Sequence, residues 1–311
     1  MIATLAERVR ENIQKVIVGK DEVIDKLMVA VLCEGHVLLE DVPGIGKTTL
    51  ARALAASLGS TYRRIQFTPD LLPSDVTGIN WFNQKKQEFE FRPGPILSQV
   101  VLADEINRAT PRTQSAMLEA MQERQVTVDG KTHLMERPFL VIATQNPVEL
   151  AGTFPLPEAQ VDRFMMRIEI GYPSESEENA ILERFRAHDP LPDLKAVTAP
   201  EEIQAMQKQR MDIRIEDSVR EYLVQVVRAT REHEEIELGA SPRAALALYQ
   251  AAQAWAAIQG RDYVIPDDIK HLAPTVLTHR LIVSPQAQLR GREPQDLVAG
   301  IVDSVPVPVE D

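Results

Sequence analysis

Between residues 35 and 172, short apolar runs alternate with stretches of helical periodicity, and this alternation constrains the fold more than any other feature. Most of the runs are apolar throughout, as in strands that helices cover on both faces of a parallel sheet. Apolar stripes at helical spacing predict helices over Thr48–Leu58 and Thr113–Glu123. The pattern predicts a doubly wound α/β domain with a parallel sheet. The strand candidates are His36–Glu40, Arg64–Thr68, Val100–Ala103, Phe139–Ala143 and Arg163–Ile170.

Two insertions within this region predict β-hairpins. Trp81–Phe91 alternates apolar and polar residues at its end and has a polar middle. Gln125–Val128 leads into Asp129–Gly130, a dipeptide that is typical of a two-residue hairpin turn. Hairpins at these positions would cover an edge of the sheet.

The chain changes character after Pro173. Ser174–Glu177 matches a capping box that opens a helix. Prolines within Ala187–Pro200 indicate a boundary, so we predict an α/β domain over residues 1–187 and a smaller all-helical domain over residues 188–311. Residues 1–34 are also expected to be helical, with an interruption at Val18–Gly19. In the second domain we expect helices at 200–210, 216–233, 242–258, 266–278 and 294–303.

Composition narrows the class of protein. Of the 311 residues, 44% are apolar and 26% are charged, which is ordinary for a globular protein that can bury a core. The longest apolar runs are too short to span a bilayer, and Met1–Arg10 lacks the apolar core of a signal peptide. The single cysteine, Cys33, cannot form an internal disulfide. We therefore expect a cytoplasmic protein without a membrane span.

The charge balance bears on nucleic acid as a partner. Asp and Glu number 46 against 34 Lys and Arg, for a formal net charge of −12. Binding to a phosphate backbone depends on a basic surface that displaces counterions. The acidic balance disfavours a nucleic-acid partner, although a local basic patch would still be compatible with one.

A glycine-rich loop, Asp41–Thr49, joins the first strand candidate to a predicted helix. Gly44 and Gly46 allow backbone N–H groups to turn inward around phosphate oxygens at a helix N-terminus. Lys47 can reach the β- and γ-phosphates of ATP, and the Thr48 hydroxyl can ligate Mg²⁺. The full phosphate-loop pattern has glycine where this chain has aspartate at position 41, and a glycine-rich turn with an incidental lysine is the alternative. The predicted nucleotide-binding residues are Pro43, Gly44, Ile45, Gly46, Lys47, Thr48 and Thr49.

Two carboxylates end a later strand candidate, because Val100–Ala103 runs directly into Asp104 and Glu105. Ligands of open α/β sheets bind beyond the carboxyl ends of the strands. Asp104 would hold Mg²⁺ directly or through water, and Glu105 would act as general base on the attacking water. The alternative is a strand that runs into a solvated acidic loop, which the order of the two motifs makes less attractive.

Asn146 follows the next buried strand candidate, in the segment Thr144–Pro147. A polar side chain there could position water against the γ-phosphate. An ordinary Asn-Pro turn explains the same residues equally well.

Together these motifs resemble those of the AAA+ superfamily and, within it, the MoxR-type ATPases. The resemblance extends over nearly the whole chain, and aspartate at position 41 is typical of that group. It implies a P-loop AAA+ core with a parallel sheet, followed by a smaller all-α lid. The resemblance rests on LLEDVPGIGKTTLARALA (38–55), VVLADEINRATPRTQSAMLEAMQERQVTVDG (100–130), IATQNPVE (142–149), FPLPEAQVDRF (154–164) and SPRA (241–244).

The resemblance also implies roles that the local sequence leaves open. Asn146 matches the sensor-1 position, and Arg163 matches the arginine finger that reaches a neighbouring subunit's nucleotide. Arg243 matches sensor 2 at the start of a lid helix. By local sequence alone, a salt-bridged surface arginine is the favoured interpretation of Arg163, and a helix-capping surface arginine explains Arg243 equally well. Val18 and Gly19 match the segment that packs beside adenine, where a helix-breaking turn is the alternative.

Membership of this family would imply ATP and Mg²⁺ as cofactors and a homo-oligomeric ring, usually a hexamer, whose active sites are shared between subunits. It would also imply chaperone-like remodelling or activation of client proteins, often ones with von Willebrand factor A domains. Two alternatives stay open. One is a nucleic-acid or chelatase-type motor subunit of the same clade. The other is a nucleotide-gated scaffold with little turnover, against which the pair Asp104 and Glu105 argues.

Overall fold

The computed structural model of the protein describes residues 1–145 and 152–308. The strands are β1 (Val37–Glu40), β2 (Tyr62–Gln66), β3 (Gly78–Asn83), β4 (Glu88–Pro93), β5 (Val100–Asp104), β6 (Gln125–Val128), β7 (Lys131–Leu134), β8 (Leu140–Gln145), β9 (Met166–Ile168), β10 (Ile236–Leu238) and β11 (Ile282–Val283). The helices are α1 (Ile2–Ile13), α2 (Asp21–Leu32), α3 (Lys47–Ser57), α4 (Pro73–Thr77), α5 (Pro111–Glu123), α6 (Glu158–Val161), α7 (Glu175–Arg184), α8 (Pro200–Arg210), α9 (Asp217–Glu232), α10 (Pro242–Ile258), α11 (Pro266–Leu277), α12 (Pro285–Leu289) and α13 (Pro294–Ser304).

The centre of the fold is a sheet of five strands in the order β2-β5-β8-β1-β9. Every neighbouring pair in this sheet is parallel. The predicted α/β class with a parallel sheet is therefore confirmed. Because β5, β8 and β1 lie in the middle of the sheet, their carboxyl ends meet at one edge, where the loops after them can build a shared site.

Helices cover both faces of this sheet, which explains why its central strands are apolar throughout. In β1, Val37 and Leu39 pack into an apolar cluster that includes Leu54 of α3. Leu38, between them, faces the other way into a second cluster that includes Leu118 of α5. Each fully buried leucine contributes roughly 1.5–3 kcal/mol relative to an exposed one. The two clusters hold the helices that carry the loops at the carboxyl edge.

The two edge strands differ from their predicted bounds. β2 begins earlier than the predicted Arg64–Thr68, because backbone pairing with β5 at a sheet edge does not require apolar side chains at positions 62 and 63. β9 is shorter than the predicted Arg163–Ile170. Its expected first residues instead complete a helical turn after α6, where the Phe164 N–H donates to the Val161 carbonyl (3.0 Å).

Both predicted hairpins are present, as β3–β4 and β6–β7. They contact each other: the Asn80 side chain donates to Asp129 (2.9 Å), and the rings of Phe91 and His133 stack with their centroids 3.7 Å apart. Asp129 and Gly130 both have positive φ, at +48° and +80°, as the tight turn requires. The hairpins leave large apolar side chains exposed, namely Ile79, Trp81, Phe82, Phe89 and Leu134.

All five helices predicted after residue 200 are observed, as α8, α9, α10, α11 and α13. The capping box is also confirmed, since the Ser174 hydroxyl accepts from the Glu177 N–H at the start of α7. The sequence did not predict the small antiparallel pair β10–β11, which joins Ile236 to Val283. These strands are two and three residues long, too short for an alternation pattern to be visible.

The N-terminal helices connect the two halves of the chain. α1 packs against α2, α3, α8 and α10, and α2 also packs against α8 and α10. The buried Asn12 side chain donates to the Ser57 hydroxyl (2.9 Å) and to the Lys195 carbonyl (3.0 Å). One apolar cluster therefore runs from α1 through α3 to α10. The predicted division at residues 187 and 188 remains a prediction from the sequence.

Among residues 1–145 and 152–308, no helix combines the length and the apolar character needed to cross a membrane.

His36 is a buried titratable group at the start of β1. Its Nδ1 accepts from the Val141 N–H (3.0 Å), and its Nε2 lies 3.1 Å from the Met121 carbonyl. Desolvation by burial lowers the pKa of His36 to about 4. Because Nδ1 accepts a hydrogen bond and Nε2 faces a carbonyl to which it can donate, these contacts fit the neutral ring with its proton on Nε2.

We predict that His36 makes the folding free energy pH-dependent. Its folded pKa lies below the unfolded value near 6.5, so its stabilising effect is complete above pH 6.5 and is lost as pH falls toward 4. Between pH 7.5 and 5.5 this group should lower the free energy of unfolding by about 1 kcal/mol. Urea titrations of wild type and His36→Asn at both pH values measure this effect.

His188 provides the control, because its side chain is 67% exposed. The His188→Asn variant should keep the wild-type difference between the two pH values, whereas His36→Asn should lose about 1 kcal/mol of it. An equal pH dependence in wild type and His36→Asn would contradict the prediction.

Candidate functional site

The glycine-rich loop lies between β1 and α3. Its left-handed positions fall on Gly44 (φ +88°) and Gly46 (φ +92°), a conformation that other residues adopt only with strain. A Cβ atom at either position would meet no atom within 4 Å, so backbone geometry rather than crowding requires glycine. α3 begins at Lys47, and its first N–H groups have no helical partner. The loop and the helix N-terminus therefore form a site suited to phosphate.

Asp41 stands where the phosphate-loop pattern has glycine, and it braces the loop. One carboxylate oxygen accepts from the Val42 N–H (2.8 Å). The other accepts from the N–H groups of Ile170 (2.8 Å) and Gly171 (2.7 Å), just after β9. The Lys47 ammonium donates to the Asp41 carbonyl (2.6 Å). Aspartate thus fixes the start of the loop with its side chain, which glycine could not do.

The two carboxylates lie beside the loop, at the end of β5. The Thr144 hydroxyl donates to Asp104 Oδ1 (2.6 Å), and the Glu105 N–H donates to the same hydroxyl (2.8 Å). Glu105 has φ +56°, so the chain turns sharply there. Burial lowers the pKa of Lys47, whereas the charges of Asp41, Asp104 and Glu105 oppose that shift.

These groups surround one cavity of about 380 Å³. The cavity brings Lys47 and Thr48 of the glycine-rich loop together with the carboxylates of Asp104 and Glu105, although the two pairs lie far apart in the sequence. Its lining includes one lysine, one arginine and two carboxylates. The lining residues are Pro43, Gly44, Gly46, Lys47, Thr48, Arg64, Asp104, Glu105 and Thr144.

A second, largely apolar cavity of about 410 Å³ adjoins the first and shares Pro43, Gly44 and Gly46 with it. Val18, which the resemblance predicts to lie beside adenine, lines this cavity, and so do Ile45 and Thr49. Further apolar lining comes from Ile181 of α7 and from Phe185, the residue that follows this helix. The cavity has the character of a site for a flat heterocycle next to a phosphate site.

Gly19 has a structural reason to be glycine. Its φ is +64°, and a Cβ atom would come within 2.0 Å of Glu177 Oε1. It lies beside Val18, but it is outside the described lining of the apolar cavity. Its predicted contact with nucleotide therefore remains a prediction from the resemblance.

The structure does not bring Arg163 and Arg243 to the described lining of either cavity. Arg163 donates to the Leu118 carbonyl of its own chain (2.9 Å), and Arg243 lies 3.8 Å from Asp162. Asn146 lies outside the described residues.

A buried arginine that the sequence did not single out fixes the segment around Arg163. Arg280 has a side chain only 2% exposed, and its Nε donates to Asp162 Oδ1 (2.8 Å). It also donates to the Phe164 carbonyl (2.7 Å). Ser241, the N-cap of α10, donates to the same Asp162 carboxylate (3.3 Å). The lid helices are thereby tied to the residues on either side of Arg163.

The chain matches models of two protein families. The model described as "ATPase family associated with various cellular activities (AAA)" matches residues 36–166, and the AAA lid domain matches residues 228–301. The uncharacterized protein YeaC of Bacillus subtilis is 52% identical over 96% of this chain and 94% of its own length. Chaperone MoxR1 of Mycobacterium tuberculosis is 41% identical over 97% of this chain and 82% of its own length.

This chain belongs to the MoxR family of AAA+ ATPases. Protein MoxR of Methylorubrum extorquens is 32% identical over 97% of the chain. The crystal structure of a candidate ATPase from Cytophaga hutchinsonii superposes with a TM-score of 0.93 at 38% identity, covering 99% of this chain and 96% of its own. The family and the fold that the sequence motifs predicted are confirmed.

The cavities of this MoxR-family chain fit magnesium ATP. The Thr48 hydroxyl and the Asp104 carboxylate both line the cavity of about 380 Å³, and their oxygens are of the hard kind that Mg²⁺ prefers. The glycine loop, the N-terminus of α3 and Lys47 offer N–H donors and a cation to phosphate oxygens. The adjoining cavity offers an apolar surface to the adenine base of the nucleotide.

Sequence reasoning missed two polar residues of β2 that contact the carboxylates. The Arg64 guanidinium donates twice to Asp104 Oδ2, from Nε (3.0 Å) and Nη2 (2.6 Å). The Gln66 amide donates to Glu105 (2.8 Å), which also pairs with Arg108 at 3.1 Å. The signal was present, since two polar residues on one face of a strand candidate are unusual in a buried sheet. Only the strand order shows that β2 lies next to β5.

We predict that replacement of Asp41 destabilises both the fold and the nucleotide site of this family member. Asp41→Ala leaves the N–H groups of Val42, Ile170 and Gly171 without their acceptor, so the free energy of unfolding should fall by about 1–3 kcal/mol. Asp41→Gly, which restores the general phosphate-loop pattern, should be no better. Urea unfolding and ATP affinity by calorimetry measure the two effects.

The control is Asp262→Ala, because that side chain is 76% exposed and its ion pair is on the surface. Its replacement should cost less than about 0.5 kcal/mol and leave ATP affinity unchanged. If Asp41→Gly unfolded at the wild-type urea concentration and bound ATP as well as wild type, the stabilising role of the Asp41 carboxylate would be refuted.

Proposed function

We propose that this MoxR-family chain binds magnesium ATP in the two adjoining cavities and hydrolyses it to ADP and phosphate. We further propose that it uses this cycle as a chaperone-like remodeller or activator of client proteins. The observation that carries the catalytic part is the convergence of Lys47, Thr48, Asp104 and Glu105 on one cavity. The client role is supported by the name of a relative, chaperone MoxR1, which is similar over 97% of this chain.

The contacts of each side chain suggest a division of labour. Lys47 would bind the β- and γ-phosphates, for which it would leave the Asp41 carbonyl. Thr48 and Asp104 would hold magnesium, which when bound neutralises charge on the phosphate oxygens. Glu105 would accept the proton of the attacking water, because its carboxylate lines the cavity and lies next to Asp104 in the chain.

Thr144 supports this division because its hydroxyl links the Asp104 carboxylate to the backbone of Glu105. Its hydroxyl accepts from the Glu105 N–H and donates to Asp104, so the residues for metal and water share one hydrogen-bonded support. Such a support reduces the reorganisation needed when charge develops on the phosphoryl group. Asn146, which follows β8 in the sequence, remains the proposed residue for positioning water.

We propose a ring, usually a hexamer in this family, for the completed site. The cavity has Lys47 and Arg64 as its described cations, and phosphoryl transfer gains from a further guanidinium that reaches the transferring group. Arg163, supplied by a neighbouring subunit, is our candidate for this role. Arg243, on the lid helix α10, would report the nucleotide state to the lid.

We predict that Glu105→Gln binds ATP with wild-type affinity but loses most hydrolysis, at least about 100-fold, because the amide cannot accept the proton. Calorimetry with ATP and a phosphate-release assay measure the two properties. Glu123→Gln, at the exposed end of α5, is the matched control and should keep wild-type turnover. Wild-type hydrolysis by Glu105→Gln would refute the general base. Negligible turnover by the wild type, alone and with candidate clients, would favour a nucleotide-gated scaffold.

We predict that Arg163 acts between subunits. Arg163→Ala should bind ATP normally but hydrolyse it at most at a few per cent of the wild-type rate. Mixed with Glu105→Gln, which has the arginine but lacks the base, it should regain activity. The reason is that intact Arg163 and intact Glu105 then meet at some of the mixed interfaces. Phosphate release as a function of mixing ratio measures the recovery.

A purely structural role of Arg163 has a different signature. Its hydrogen bond to the Leu118 carbonyl would be lost in Arg163→Ala, which should lower the thermal unfolding temperature by only a few degrees. If mixing produced no recovery while the variant rings assembled, the arginine that completes the site would have to be another one.

A further inference from the structure

Arg64 occupies one oxygen of the proposed metal ligand Asp104. A carboxylate oxygen has two lone pairs, and Asp104 Oδ2 receives two hydrogen bonds from the same guanidinium, at 3.0 and 2.6 Å. Oδ1 receives the Thr144 hydroxyl at 2.6 Å and keeps one lone pair. The Arg64 side chain therefore fills the accepting capacity of Oδ2, the oxygen of Asp104 that Thr144 leaves free.

The sheet register explains how Arg64 reaches this position. In the parallel pair of β2 and β5, Arg64 lies opposite Leu102 and Gln66 lies opposite Asp104. Side chains two residues apart on a strand share one face, so Arg64 is a diagonal neighbour of Asp104. Both residues line the cavity of about 380 Å³. The guanidinium thus sits beside the proposed phosphate and metal positions rather than on the outer surface of the sheet.

We propose that Arg64 competes with Mg²⁺ for Asp104 and so sets the magnesium concentration at which the site binds nucleotide tightly. The inference rests on the proposed function, because it requires Asp104 to be a metal ligand. Mg²⁺ demands near-octahedral oxygen coordination and would use Asp104 directly or through a bound water. While Arg64 holds Oδ2, that oxygen has no lone pair for either arrangement, and Mg²⁺ at either oxygen would place two cations against one carboxylate.

Arg64 can leave Asp104 without disturbing the core. Its side chain is 46% exposed, whereas that of Asp104 is 12% exposed. Its Nη2 also donates to the Gln66 side chain, which supplies an alternative partner on the same strand. Gln66 in turn donates to Glu105. The movement of one exposed side chain is therefore enough to free the oxygen, and the guanidinium keeps a hydrogen bond next to the second carboxylate.

The experiment measures nucleotide affinity rather than turnover. The affinity for a slowly hydrolysed ATP analogue is determined by calorimetry at magnesium concentrations from none, with chelator, to saturation. The midpoint is the magnesium concentration at which the affinity lies halfway between its values without magnesium and at saturation. Loss of the competing charge in Arg64→Ala should lower this midpoint about three- to tenfold. Arg64→Lys keeps the positive charge and should stay close to the wild-type midpoint. Arg63→Ala removes an exposed arginine from the same strand and should leave the midpoint unchanged.

Asp104→Asn identifies the oxygen for which the two cations compete. In that background, Arg64→Ala should no longer shift the midpoint, because the contested carboxylate is gone. An unchanged midpoint in Arg64→Ala, or a shifted midpoint in Arg64→Lys equal to that of Arg64→Ala, would overturn the proposal. A loss of affinity in Arg64→Ala that is equal with and without magnesium would also overturn it, by making Arg64 a phosphate ligand.

The proposed function fails in a different way. If Lys47→Ala bound the analogue as well as wild type, or if wild-type affinity did not depend on magnesium, the phosphate and metal assignments themselves would be wrong. A magnesium-dependent wild type with an unresponsive Arg64→Ala would refute only the competition.

Discussion

The parallel pairing of β5 between β2 and β8 is the constraint on which the site depends. It places the carboxyl ends of three strands at one edge, so that Asp104 meets Thr144 from one side and Arg64 from the other. Each of these contacts is 2.6 Å long, and none involves residues close in sequence. The helices on both faces keep the strands in this register by burying almost every side chain of β5 and β8. The chemistry of the cavity therefore depends on the packing of a sheet rather than on any one loop.

The sequence predicted those parts of the structure that depend on local pattern. The phosphate loop was predictable from its local sequence, because glycine is the residue that adopts the positive φ angles found at Gly44 and Gly46. The strands β1, β5 and β8 were visible because burial on both faces leaves an uninterrupted apolar run. Asp104 and Glu105 were recognisable because they directly follow such a run, at the carboxyl end of a strand where open α/β sheets bind their ligands. For these elements, the local signal and the tertiary role coincide.

Other parts depended on contacts that no local pattern reveals. The partners of Asp41 lie about 130 positions away, at Ile170 and Gly171, so the sequence alone showed only a departure from a pattern. Arg64 and Gln66 looked like polar interruptions of a strand until the strand order placed them beside the two carboxylates. Arg280 gave no signal either, since a buried arginine becomes intelligible only when Asp162 and two backbone carbonyls around it are known. Two further carbonyls, of Asp162 and Val276, also accept from Arg280. In each case most of the partners are polar groups far away in the sequence.

The position of α1 has a consequence for how the chain reaches this fold. α1 precedes the sheet in the chain, yet one of the helices that cover it, α10, begins 229 positions after α1 ends, counting from Ile13 to Pro242. During synthesis the apolar face of α1, with Leu5 and Val9, is not covered by α10 until the sheet has been made. Contacts of such wide sequence separation slow folding, because the chain must close a long loop before they form. α1 is thus among the last helices to be completely covered, and its apolar face is open to aggregation until α10 packs against it.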